Sequence, residues 1–147
     1  MNIKSYITDI MDFPSDGIIF RDISPLIGNY EALNYVLDSF EKYALTLDFD
    51  CIAAIDARGF IFGAPIANRL KVPFVPIRKS GKLPPPLKSI RYDLEYGKSS
   101  LECKDDILKN NKKVIILAKR VKEQAREYKG QLMDCQKQLE RKKYIIF

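Results

Sequence analysis

The sequence predicts an α/β fold built on an open, mainly parallel sheet. Three observations predict it. Cys51-Ile52-Ala53-Ala54-Ile55 and Val114-Ile115-Ile116-Leu117 are continuous apolar runs, the pattern of strands buried on both faces. Leu33, Val36, Leu37 and Phe40 recur at helical spacing. Strand-like and helix-like stretches then alternate along the chain instead of clustering by type.

Taken in order, Ile3 to Met11 is short and mixed, and is expected to be helical. Asp12-Phe13-Pro14-Ser15-Asp16-Gly17 is a turn punctuated by Pro and Gly. Ile18-Ile19-Phe20 is a brief extended piece. Ser24-Pro25 opens a helix, and Tyr30 to Leu45 is a second, amphipathic one. The strand Cys51–Ile55 ends in Asp56-Ala57-Arg58-Gly59, from which a helical stretch runs through Ala67. Pro73-Phe74-Val75-Pro76-Ile77 is a further strand, ending in Arg78-Lys79. The Pro-rich, basic stretch from Ser80 to Ile90 has no periodicity and reads as a long loop or lid. Tyr92 to Tyr96 and Ser100 to Cys103 form a hairpin around Gly97, and Val114–Leu117 returns to the core.

From Ala118 onward the pattern changes to a long basic helix. Val121, Ala125, Tyr128, Leu132, Cys135 and Leu139 alternate at spacings of four and three, a seam set among Lys, Arg, Glu and Gln. The seam suits packing on this domain's own sheet better than pairing with a partner coil. Tyr144-Ile145-Ile146-Phe147 is a candidate terminal strand. The chain thus reads as one domain, 1–117, with a divergent tail, 118–147, that is not a separate domain.

Composition narrows the chemistry. With 46% hydrophobic and 30% charged residues the chain has ordinary globular proportions. No apolar run approaches the roughly 20 residues that span a bilayer, and no signal-like start is seen, so a cytosolic, membrane-free protein is expected. Three well-separated cysteines argue against a disulfide framework. Histidine is absent, which removes His-based acid/base chemistry and most zinc sites. Most of the formal +6 charge lies in the tail. Without aromatic interleaving or a nucleic-acid motif, that charge reads as a solvated helix face and not as a nucleic-acid interface.

Ligands of open α/β sheets bind beyond the carboxyl ends of the strands. At one such end Asp56-Ala57-Arg58-Gly59 offers a guanidinium and a glycine beside a helix start. At the next, Arg78 and Lys79 with Lys82 add three cations. Cations at two neighbouring strand ends suit a polyanionic ligand.

These segments together carry a resemblance. Phe13-Pro14, Gly17-Ile18-Ile19-Phe20-Arg21-Asp22-Ile23-Ser24-Pro25, Ala57-Arg58-Gly59-Phe60-Ile61-Phe62-Gly63, Val75-Pro76-Ile77-Arg78-Lys79 with Gly81-Lys82-Leu83-Pro84, and Leu94-Glu95-Tyr96-Gly97-Lys98 occur in this order. From Asp12 to Leu117 the chain resembles the adenine phosphoribosyltransferases of the type I phosphoribosyltransferase family. The resemblance implies purine salvage: transfer of ribose 5-phosphate from phosphoribosyl pyrophosphate (PRPP) to adenine, giving AMP and pyrophosphate. It also implies a homodimer that uses Mg²⁺ brought with PRPP, no protein side chain being a metal ligand. Phe20 would stack on adenine while the backbones of Ile19 and Arg21 read its edge. Arg58 would bind pyrophosphate, on a turn where the family has a cis peptide at the position of Asp56-Ala57. Arg78, Lys79 and Lys82 would neutralise the leaving group. Glu95 would handle the purine proton, and Tyr96 would help close the lid.

The resemblance stops where the family runs from its core strand into two acidic residues and an Ala-Thr-Gly-Gly-Thr loop. Those carboxylates accept the ribose hydroxyls, and the loop presents N–H groups to the 5-phosphate. Here Leu117 is followed by Ala118-Lys119-Arg120-Val121-Lys122-Glu123. Lys119 and Arg120 cannot accept hydrogen bonds from hydroxyls. Asp105-Asp106 precedes the strand, and so falls at the opposite end of the sheet. The expected fold is therefore of phosphoribosyltransferase type but C-terminally incomplete, and transferase activity is expected to be impaired or lost. The alternative is a non-catalytic purine-binding protein or a regulatory partner of an intact family member.

Overall fold

The structure is a computed structural model that describes residues 1–94, 97–104, 113–117 and 143–146, with side chains excluded over 90–99 and 143–146. It divides into two compact units, Met1–Tyr43 and Ala44–Phe147.

In the first unit a single 3-10 turn, Ile3–Tyr6, is capped by the Asn2 side chain and followed by strand β1, Thr8–Ile10. The helix expected from Ile3 to Met11 is thus replaced by this turn and strand. The partner of β1, strand β2, spans Phe20–Asp22, two residues later than the extended piece expected at Ile18, and pairs antiparallel with Ile10 opposite Phe20. The connecting turn is closed by its own polar groups. Gly17 N–H donates to Asp12 Oδ1 at 2.8 Å, and Phe13 N–H donates to the Ile18 carbonyl at 3.2 Å. That closure takes up Ile18 and Ile19 and delays the strand. Helix α1, Ser24–Ile27, starts at the expected Ser-Pro. Helix α2, Tyr30–Ala44, is capped by Asn29, whose Oδ1 accepts the Ala32 N–H at 2.9 Å.

The second unit holds a six-stranded sheet. Its strands are β3 (Cys51–Ile55), β4 (Phe74–Lys79), β5 (Leu87–Leu94), β6 (Gly97–Lys104), β7 (Val114–Leu117) and β8 (Lys143–Ile146). Their spatial order is β5-β6-β4-β3-β7-β8. β4, β3, β7 and β8 run parallel, while β6 joins β4, and β5 joins β6, antiparallel. This is the mixed, mainly parallel α/β fold that the apolar runs predict. β3 is buried from Cys51 to Ala54 and β7 throughout, as uniform hydrophobicity requires.

Helix α3, Arg58–Leu70, covers this core and ends at Lys71, which takes a left-handed conformation. Gly63 lets it come close: a Cβ there would lie 2.8 Å from Ala54 Cβ and 2.9 Å from the Phe74 ring. The ring of Phe60, about one turn earlier, packs edge-on against Phe74 with the centroids 5.6 Å apart.

One expectation changes: the Ser80–Ile90 loop is shorter, because Leu87 already pairs with Lys104. The candidate terminal strand at Tyr144 to Phe147 is present as β8, shifted by one residue, and takes the side of β7 away from β3, with Leu117 opposite Ile146. The predicted tail helix with its seam lies outside the described residues, as do Asp105, Asp106, Lys119 and Arg120.

Candidate functional site

The carboxyl ends of parallel strands face one edge of the sheet, and here that edge collects the cations. β3 delivers Asp56 and, through a cis Asp56-Ala57 peptide, the start of α3 at Arg58. Its N-cap, Ala57, makes no side-chain cap hydrogen bond, and helix N-termini are places where phosphate can be held. Gly59 comes next, and a Cβ on it would meet the Leu117 carbonyl at 3.0 Å, so α3 begins directly over the end of β7.

β4 delivers Arg78 and Lys79 to the same edge, next to β3. The Asp56 amide donates to the Ile77 carbonyl at 2.9 Å, tying the two strand ends together. Arg78 is half-buried and fixed at two points: Nε donates to Asp56 Oδ2 at 3.2 Å, and Nη1 donates to the Lys82 carbonyl at 3.3 Å. A guanidinium has five N–H groups, so the Nη2 side remains to meet an anion. Lys79 and Lys82 are exposed and act as mobile point charges. Arg58, Arg78, Lys79 and Lys82 are therefore brought to one region, as the sequence predicts.

The turn that carries Lys82 has an anchor that sequence reasoning misses. Glu102 on β6 is buried, and its carboxylate accepts the Ser80 hydroxyl at 2.5 Å and the Gly81 N–H at 3.0 Å. Lys104 extends the attachment, donating to the Pro84 and Pro85 carbonyls at 3.1 and 3.2 Å. A lone acid between apolar neighbours, Leu101-Glu102-Cys103, is the only signal the sequence offers.

The adenine candidates lie in the first unit. Phe20 is half-buried on β2 and meets the Phe13 ring edge-on at 5.2 Å. Ile19 is exposed, and Arg21 lies on β2 opposite Asp9, its exposed side chain paired with that residue at 3.6 Å. Asp22 organises the entry to α1, accepting the Ser24 N–H and hydroxyl at 2.9 and 2.6 Å. Glu95 and Tyr96 lie outside the described residues.

An open, mainly parallel sheet with cations gathered at adjacent strand ends is an arrangement suited to a phosphorylated ligand. Known structures narrow the class to phosphoribosyltransferases. The adenine phosphoribosyltransferase of Thermoanaerobacter pseudethanolicus superposes with a TM-score of 0.81 at 40% identity, over 97% of this chain and 81% of that one. The Saccharomyces cerevisiae enzyme, complexed with adenine and an imino-altritol bisphosphate, superposes with a TM-score of 0.82 at 29% identity, over 98% and 82% of the two chains. No protein-family model matches the sequence. Among curated proteins, the adenine phosphoribosyltransferase of Malacoplasma penetrans is 51% identical over 115 residues, 78% of this chain and 67% of that protein. The one from Mycoplasmopsis synoviae is 47% identical over 117 residues, 80% and 68% of the two chains. The chain belongs to the adenine phosphoribosyltransferase family.

Proposed function

We propose that this chain binds adenine and the diphosphate end of PRPP, in the manner of a purine-salvage transferase, with its turnover to AMP impaired or lost. The observation that carries the binding half is the cation set Arg58, Arg78, Lys79 and Lys82 at adjacent strand ends, with Arg78 held by Asp56. A diphosphate needs charge from several directions, and fixed guanidinium groups supply it with directional bonds. Phe20, with the backbones of Ile19 and Arg21, forms the adenine contact. That the yeast relative was solved with adenine bound supports the choice of base.

The loss half rests on Ala118-Lys119-Arg120, which stands where the family resemblance implies two acids that accept ribose hydroxyls. Cations there offer donors only. Glu95 and Tyr96 belong to the same proposal, as proton handler and lid residue. So do a cytosolic location and a homodimer. Mg²⁺ would neutralise diphosphate charge. By the family resemblance it would arrive with PRPP, its ligands phosphate oxygens and water.

Calorimetric titration with Mg²⁺-PRPP, and separately with adenine, tests the reading, together with an AMP-formation assay. Binding with turnover far below that of the Mycoplasmopsis synoviae enzyme is expected. Comparable turnover would overturn the loss, and binding of neither ligand would overturn the whole. The second reading, a non-catalytic partner of an intact family member, draws on the same departure after Leu117. Co-purification with such a subunit is its test.

A further inference from the structure

β6 fastens the cationic turn, and one of its residues does so with a buried charge. Glu102 stands opposite Arg78 in the antiparallel register. The Ser80 N–H donates to the Ser100 carbonyl at 3.2 Å, Ser80 Oγ and Gly81 N–H donate to Glu102, and Lys104 reaches Pro84 and Pro85. The segment 80–85 is thus fastened to β6 by the Ser100 backbone and by the side chains of Glu102 and Lys104, which share one face of the strand. Gly81 has φ +78, a left-handed conformation that the bond to Glu102 helps to hold.

We propose that Glu102 is a positioning residue for diphosphate binding: by seating Ser80 and Gly81 it fixes where Lys79, Lys82 and the Lys82 carbonyl bonded to Arg78 lie. The inference rests on the diphosphate-binding reading above. It runs against simple electrostatics, because a carboxylate near an anion site should weaken binding. Burial settles the sign. Glu102 is only 8% exposed and its carboxylate is occupied by two donors, so it acts first through those bonds, whose loss would free the turn and strand the Gly81 N–H.

The test compares Mg²⁺-diphosphate affinity in the wild-type chain, Glu102→Ala, Glu102→Gln and Ser80→Ala, with Gly81 amide exchange and adenine affinity read alongside. Glu102→Ala should weaken diphosphate about tenfold and speed Gly81 exchange, with adenine affinity unchanged. Glu102→Gln should recover most of the loss, since its carbonyl accepts the Gly81 N–H and its amide donates to Ser80 Oγ. Ser80→Ala, an exposed change that spares the core, should cost about threefold. Unchanged or tighter diphosphate binding in Glu102→Ala overturns the inference and leaves the functional reading standing. A wild-type chain that binds no diphosphate overturns the functional reading itself, and with it this role.

Discussion

Asp56 and Arg78 are joined across the two central parallel strands, the guanidinium Nε donating to Asp56 Oδ2 at 3.2 Å. The pair converts a flexible side chain at the end of β4 into one aimed from a fixed point. It also links the turn preceding α3 to the turn carrying Lys82, since the same guanidinium reaches the Lys82 carbonyl. The carboxylate is mostly sheltered and the guanidinium about a third exposed, so solvent screens the attraction in part.

Asp56→Asn should therefore act on ligand affinity more than on stability. Asparagine can still accept one bond from Arg78 but carries no charge to hold it. Diphosphate affinity is expected to fall about fivefold, roughly 1 kcal/mol, with a melting temperature close to wild type. Calorimetry with Mg²⁺-diphosphate checks it. An affinity equal to wild type would show that Arg78 needs no such aim.

Gly63→Ala tests the packing of α3 on the sheet. The new methyl would sit 2.8 Å from Ala54 Cβ, an atom fixed to the backbone of β3, and 2.9 Å from the Phe74 ring. The ring can tilt, but Ala54 cannot turn away, so the helix must lift from the sheet. Overpacking of this kind costs about 1–3 kcal/mol, and the melting temperature should drop by several degrees. A shift within one degree would mean that the helix has slack there.

Much of the fold is readable from residues alone. Cys51–Ile55 and Val114–Leu117 are legible to the residue because a strand buried on both faces needs an unbroken apolar run. The cations at Arg58, Arg78 and Lys79 are legible because strand ends are marked by the change from apolar to charged. β1 is not: Thr8-Asp9-Ile10 is too short for periodicity to tell a strand from a helix. Leu87 to Leu94 is partly hidden in a Pro-rich stretch, because its strand character comes from pairing with β6, a tertiary effect. Glu102 and Asp56 escape notice as anchors for the same reason. Which donor a carboxylate meets across a sheet depends on register, and register is not written in local spacing.

The two acids just before β3 should differ in worth although they contact one residue. Asp50 accepts the Lys113 N–H at 2.8 Å in a partly buried setting, and its own N–H donates to the Lys113 carbonyl. Asp48 pairs with the Lys113 ammonium, where its side chain is 70% exposed. Asp50→Ala strands a backbone donor at the entry to β7 and should cost about 1–3 kcal/mol. Asp48→Ala should cost well under about 1 kcal/mol. Urea unfolding of both variants decides it, and equal losses would contradict the ranking.

Phe20→Ala addresses the adenine contact. Phe20 is half-buried and forms a T-shaped pair with Phe13, and the proposal assigns a face of its ring to the purine. Stacking of a base on an aromatic ring is worth about 1–3 kcal/mol, so adenine affinity should fall between about fivefold and a hundredfold. Diphosphate affinity should stay as it was, because no diphosphate contact is assigned to this residue. Phe20→Leu separates packing from stacking: leucine fills space beside Phe13 but offers no flat π surface. It should therefore keep more of the stability than alanine does while recovering little of the adenine affinity. If leucine restores adenine binding in full, Phe20 serves as an apolar wall and not as a stacking platform.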